Sequence, residues 1–180
     1  MIDRNYIETQ AEKLSSKLKN IKLCLLDVDG VLTNGDIYYS GEEMGFNRST
    51  NALDGHGIKL LMRAGIKVGI ITGGDSLSVV KRFQENLKCD YCYMGNEDKL
   101  DAYEDVKAIE GVSDSEILYM GDELFDLPLL KRAGFAATVP NAAYEIFENV
   151  DYITKREGGT GAVREVIDIL RFVQGIAHDG

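Results

Sequence analysis

The sequence has two prolines, no tryptophan, two histidines and three cysteines in 180 residues. So little proline, with nineteen glycines scattered along the chain, excludes collagen-like and proline-rich low-complexity architecture. Three cysteines cannot all pair with one another, and a chain of this length needs no disulfide framework, so a reducing, cytoplasmic environment is expected. Positive charge is also scarce. Twenty lysines and arginines against 30 aspartates and glutamates leave a net charge of −10, without the broad basic footprint of a nucleic-acid or anionic-membrane binder. An anionic small molecule would have to meet local positive charge instead. Apolar runs are short: MIDRNYIETQAEKLSSKLKN lacks the apolar core of a secretion signal, and no later run approaches the roughly 20 residues that cross a bilayer. Neither export nor membrane insertion is expected.

What is present suffices for one domain over residues 1–180, with 44% hydrophobic and 28% charged residues. Ile7, Ala11, Leu14 and Leu18 put one apolar stripe on an N-terminal helix within residues 1–20. IKLCLLDV then reads as a central parallel strand, followed by comparable runs at 66–72, 90–95, 116–122, 135–139 and 151–154. Between them lie stretches of helical spacing, among them Leu77, Val80, Phe83 and Leu87. Strand alternating with helix predicts an α/β, Rossmann-like parallel sheet with helices on both faces. GDIYYSGEEMGFNRST (35–50) breaks the alternation and reads as a small β-hairpin flap after the first strand, with no large cap domain.

Chemistry-bearing residues fall at predicted strand ends. Asp27 and Asp29, in DVDGVLT, sit where the first strand stops, and two carboxylates this close repel unless a cation or proton intervenes. A plain Asp-Gly turn is the alternative. In GDELFD, Asp122 ends a second strand and Asp126 follows four residues on, either supporting a site or capping the helix that begins near Pro128. If these strands are neighbours, the acids converge on an oxygen-rich site suited to Mg²⁺. Thr72, Gly73 and Gly74 close another strand with a hydroxyl and backbone N–H groups placed for phosphate. Lys99 opens a helix, where the macrodipole disfavours a cation; such a broken rule points to a site, against the alternative of a solvated lysine tempered by Glu97 and Asp98. Cys89 and Cys92 have C-x-x-C spacing but no second pair to complete a zinc site, and His56 and His178 have no evident nucleophile partner.

In this order, DVDGVLT, Thr72, Lys99 and GDELFD resemble the four motifs of the haloacid dehalogenase superfamily. More narrowly, the short hairpin, FNRSTNALDGHGIKLL, MGNEDKL and GGTGAVREV resemble the 3-deoxy-D-manno-octulosonate 8-phosphate phosphatases of lipopolysaccharide synthesis, over residues 21–174. The resemblance implies a Mg²⁺-dependent phosphomonoesterase in which Asp27 is the nucleophile, forming an aspartyl phosphate, and Asp29 the general acid and base. It implies that Thr72 and Lys99 hold phosphoryl oxygens, and that the carboxylates of Asp27 and Asp122 and the backbone carbonyl of Asp29 bind the metal, with Asp126 in support. It further implies a homotetramer whose hairpins and tails enclose the substrate, with Gly73, Asp54, Lys99, Gly158, Gly159 and Gly161 as substrate-binding candidates. The chain departs from that family at Leu53, Gly74 and Thr160, where its members commonly carry arginine; Arg48, Lys59 and Arg164 are candidates to compensate. A nonulosonate 9-phosphate phosphatase is the nearest alternative, since members of that group also lack some of these arginines. A receiver-like signalling domain leaves the hairpin and GDELFD unexplained, and a silent assembly module leaves the intact Asp27 and Asp29 unexplained.

Overall fold

The computed structural model of the chain describes residues 2–43 and 45–177; His178, one of the two histidines, lies outside the described residues. Asp3 accepts a hydrogen bond from the Tyr6 N–H at 2.9 Å and caps the first helix, α1 (Arg4–Leu18). The stripe faces inward as its spacing predicts, with Ala11 and Leu18 buried and Ile7 and Leu14 packed against the core. Then follow β1 (Leu23–Leu26), a hairpin of β2 (Tyr38–Tyr39) and β3 (Phe46–Asn47), α2 (Ala52–Arg63), β4 (Lys67–Thr72) and the short α3 (Leu77–Val79). A π-helical stretch, Val80–Leu87, continues α3. The rest comprises β5 (Tyr91–Met94), α4 (Leu100–Glu110), β6 (Ile117–Met120), α5 (Leu127–Leu130), β7 (Phe135–Thr138), β8 (Tyr152–Ile153) and α6 (Ala162–Gln174).

The main sheet has strand order β5-β4-β1-β6-β7-β8, every neighbouring pair parallel, which is the expected α/β, Rossmann-like architecture. Strand side chains alternate between two cores because their period is 2. Cys24, Leu26, Val68, Ile70, Leu118 and Met120 face the core built with α1, α2 and α6. Leu23, Leu25, Ile71, Ile117 and Tyr119 face the other, with Tyr103 and Val106 of α4 and Leu129 and Leu130 of α5. Burial on both faces explains why β1 reads as an unbroken apolar run.

The expected small hairpin forms within 35–50, with strands of two residues each, Tyr38 pairing with Asn47 and Tyr39 with Phe46. One expectation needs correction. The 77–87 segment does not bury Leu77 and Val80; its buried residues are Val79, Phe83 and Leu87. Those three stand four apart, a spacing that suits the wider π-helical turn. The segment stops at Lys88, whose φ of 57° is left-handed.

Glu165, buried in α6, ties the first helix to the sheet. It accepts hydrogen bonds from the Tyr152 hydroxyl at 2.6 Å, the Lys155 N–H at 2.9 Å and the Arg156 N–H at 3.2 Å. The hydroxyls of Tyr152 and Tyr6 are in turn 2.7 Å apart. Glu165→Ala strands all three donors, and a denaturant titration is expected to show a loss of about 3 kcal/mol. A loss below about 1 kcal/mol would mean that water or neighbouring groups replace the carboxylate at little cost.

Candidate active site

Register brings the site together. Leu26 pairs with Ile70 on one side and Met120 on the other, so the residues just past β1 and β6 and the end of β4 emerge side by side at the carboxyl edge. The Asp27 N–H donates to the Met120 carbonyl at 2.9 Å, and the chain then turns through Gly30 at φ +83°. Glycine is required there twice over: φ is left-handed, and a Cβ would lie 1.9 Å from Asp122 Oδ2.

At the centre lies a buried charge cluster. Lys99 is fully buried at the N-terminus of α4, its Nζ 2.9 Å from Asp27 Oδ1 and 2.7 Å from Asp126 Oδ1. The ring of Phe125 lies 4.4 Å from the same ammonium. This geometry accounts for a lysine placed against the helix dipole: two buried carboxylates outweigh it. Asp126 is committed on both oxygens. Oδ1 also accepts from the Tyr119 hydroxyl at 2.6 Å, while Oδ2 accepts the N–H groups of Asp122 at 2.9 Å and Glu123 at 3.1 Å. It therefore clamps the 122–126 turn to Lys99. The sequence reading missed Tyr119, although its ring carries the one polar side-chain tip in the strand ILYM.

The remaining oxygens of Asp27 and Asp122 are less fully partnered. Asp27 Oδ1 accepts the Val28 N–H at 2.7 Å, but Asp27 Oδ2 and Asp122 Oδ1 are buried without a hydrogen-bond partner. Burial, then the charges of Asp126 and Asp122, push the Asp27 carboxyl well above the ordinary range, against the pull of Lys99. Burial and Asp126 push Asp122 up to about 7. One oxygen from each of Asp27, Asp122 and Asp126 lies within 4.8 Å of the others. Unpartnered, crowded carboxylate oxygens whose charge is opposed by burial fit a hard divalent cation that takes oxygen ligands. Asp27 and Asp122 have oxygens to give it.

Around this centre, Thr72 ends β4 fully buried, its Oγ1 accepting the Gly74 N–H at 3.1 Å. Gly73 is exposed beside it, on a cleft of about 600 Å³ between the β4 end and the hairpin. The Asp29 side chain turns from the carboxylate cluster to Arg48, which follows β3 and grips both its oxygens, Nη2 lying 2.8 Å from Oδ2. Of the three candidate cations, Arg48 alone is shown at the site. Arg164 is held by Asp168 at 2.8 Å, and Lys59 sits half-buried on α2.

Asp54, expected among the substrate-binding residues, has a structural partner at α6. Buried in the first turn of α2, it accepts the Arg164 N–H at 2.7 Å and so caps α6. Burial raises its pKa to about 6, although the Arg164 and Gly161 N–H groups oppose the shift. Gly158 and Gly159 pack on the loop after β1, where a Gly158 Cβ would stand 1.7 Å from the Gly30 carbonyl oxygen; Gly161 packs against Arg156. Gly158 and Gly159 thus press on the loop that follows β1 in their own chain. Cys89 and Cys92 interact with each other and with the core, and His56 is exposed.

The model of the haloacid dehalogenase-like hydrolase family matches residues 92–167. The chain is 38% identical over 162 residues to the 3-deoxy-D-manno-octulosonate 8-phosphate phosphatase of Escherichia coli K12, covering 89% of this chain and 84% of that one. It is 34% identical to the Yersinia pestis phosphatase of the same name, covering 97% and 94%. The crystal structure of the Moraxella catarrhalis phosphatase, in complex with magnesium, phosphate and KDO, superposes with a TM-score of 0.86 at 36% identity, covering 91% and 93%.

The raised carboxyls give a pH test of cation binding. A carboxyl whose folded pKa lies above its unfolded value of about 4 stabilises the fold at low pH, and that contribution is lost as pH rises through the folded value. With Asp122 near 7, Tm of the metal-free chain is expected to fall between pH 5 and pH 8. A cation binds the deprotonated acids, so the rise in Tm produced by Mg²⁺ is expected to be larger at pH 8 than at pH 5. A Mg²⁺ effect independent of pH would place the ion away from these carboxylates.

Proposed function

The chain belongs to the haloacid dehalogenase superfamily and, within it, to the 3-deoxy-D-manno-octulosonate 8-phosphate phosphatase family, and on that premise we propose that it hydrolyses 3-deoxy-D-manno-octulosonate 8-phosphate to the free sugar acid and phosphate. The observation that carries this reading is the buried Lys99, locked between Asp27 and Asp126, beside unpartnered oxygens of Asp27 and Asp122. Such an arrangement has little use in a fold that performs no chemistry, because its buried carboxylates oppose folding.

The Asp27 carboxylate attacks phosphorus, its orientation fixed by Lys99 and the Val28 N–H. The sugar oxygen leaves with a proton from Asp29, and Asp27 carries an aspartyl phosphate. Asp29 then takes a proton from the water that cleaves that acyl phosphate, restoring Asp27. In this reading Lys99, the Thr72 hydroxyl and the N–H of Gly73 receive phosphoryl oxygens. Asp27 and Asp122, with the main-chain carbonyl of Asp29, would hold Mg²⁺, which would neutralise charge on these oxygens when bound. The chain's own contribution is chiefly position and electrostatics.

We further infer a cytoplasmic, homotetrameric enzyme acting as a single domain. Free thiols at Cys24, Cys89 and Cys92 support the compartment, and no helix of the described residues is long and apolar enough to cross a membrane. The hairpin supports assembly: Tyr38, Tyr39 and Phe46 are 52%, 59% and 58% exposed on strands of two residues. A two-stranded ribbon this short is unstable without cover.

With Mg²⁺, phosphate release from octulosonate 8-phosphate is expected to exceed release from nonulosonate 9-phosphates and simple hexose phosphates, and Asp27→Asn is expected to abolish it. A nonulosonate preference overturns the substrate, and an active Asp27→Asn overturns the mechanism. Sedimentation is expected to show the parent as a tetramer and the double variant Tyr38→Ser, Phe46→Ser as smaller species; an unchanged assembly would place the contacts elsewhere.

A further inference from the structure

Asp29 gives a proton to the leaving oxygen and then takes one from water, and between these two transfers it is an ionised carboxylate that must be held still. Nothing in its own loop is shown doing so. The group that meets it comes from nineteen residues further along the chain, at the exit of the hairpin, where Arg48 follows β3 directly. The guanidinium reaches Asp29 through Nε and Nη2, the planar fork matching both carboxylate oxygens. Its third nitrogen, Nη1, donates to the Ser76 hydroxyl at 2.8 Å. Ser76 stands just before α3, so all three nitrogens of the fork are occupied and the Arg48 side chain is 8% exposed. Arg48 is thus clamped from the β4 side while it clamps Asp29.

Gly74 makes room for this. A Cβ at position 74 would lie 2.7 Å from Arg48 Nη2 and 3.1 Å from Asp29 Oδ2. The first distance is closer than a carbon and a guanidinium nitrogen can sit, so any side chain here displaces the fork. Its φ is not in the left-handed region, so the backbone at 74 has no need of glycine and the space alone does.

We propose that Arg48 is a positioning residue for the acid–base carboxylate Asp29, that it links the hairpin to the chemistry, and that Gly74 is the vacancy that admits it. The inference deepens the phosphatase reading and rests on it for its kinetic consequences. Arg48 acts through Asp29, so its loss slows turnover and leaves ground-state binding nearly alone.

Arg48→Met is expected to lower kcat about 100-fold while KM stays within about threefold. Arg48→Lys recovers part of the loss, because an ammonium keeps the charge but cannot grip both oxygens. In an Asp29→Ala background, adding Arg48→Met is expected to cost nothing further, since the group it positions is gone. Gly74→Ala is expected to reproduce the kcat loss, and to add little to it in the Arg48→Met chain. Losses that multiply in the Asp29→Ala background, or an Arg48→Met chain within about threefold of the parent kcat, overturn the proposal. One arm is independent of turnover. In ¹⁵N-labelled parent protein the Arg48 Nε–H is expected to give a slowly exchanging NMR signal that Asp29→Ala abolishes. An unchanged signal overturns the pairing, whereas a chain that keeps the pairing yet releases no phosphate overturns the phosphatase reading instead.

Discussion

The contact on which the site depends is a lysine buried among carboxylates. Removing an ammonium from water costs several kcal/mol, and Lys99 recovers this only because Asp27 and Asp126 meet it from two sides within 3 Å. Each partner is then fixed by something else. The Asp27 N–H is bonded to the Met120 carbonyl, and Asp126 is held by Tyr119 and by the turn that follows β6. The first motif, the last motif and the start of α4 are therefore one electrostatic unit, and moving any of them exposes or strands a charge. The same unit leaves the two oxygens of Asp27 unequal: one is anchored, the other is buried without a partner.

A second layer holds that unit from outside, and it is made of close backbone contact rather than charge. Gly158 lies against the Gly30 carbonyl, and Gly30 in turn leaves room for Asp122. A stack of backbones packed this tightly transmits position without rotamers to adjust. Asp54 completes it by capping α6 from α2, so the helix that presents the glycine loop cannot slide away from the helix that follows the hairpin.

The legible part of this protein was the part governed by short-range rules. Apolar runs ending in acid mark the central strands, because parallel strands are covered on both faces, and the charge of Lys99, set against its helix dipole, marks the site. Asp126 was legible as either a cap or a site residue, and its geometry makes it a brace. What stayed hidden depended on where side chains turn. Asp54 lies in the DG dipeptide of a motif that resembles a substrate-binding segment, yet its carboxylate points to α6. The 77–87 stretch scores as an ordinary amphipathic helix because periodicity alone does not separate a 3.6-residue turn from a wider one. Arg48 and Gly74 are informative only as a pair, and nothing local in the sequence links positions so far apart.

The hairpin is tied down at both ends. At its root the N–H groups of Gly30 and Gly35 both approach the Thr33 hydroxyl, at 3.3 Å. At its exit Arg48 holds Asp29, and Asn51 donates to the Gly159 carbonyl at 3.3 Å while capping α2. The ribbon is thus a graft on two fixed posts, and the exposed side chains of Tyr38, Tyr39 and Phe46 can change without moving those posts. In evolutionary terms that separates two rates of change: the posts are bound to the reaction, and the ribbon is available for trying out new substrates and new neighbours.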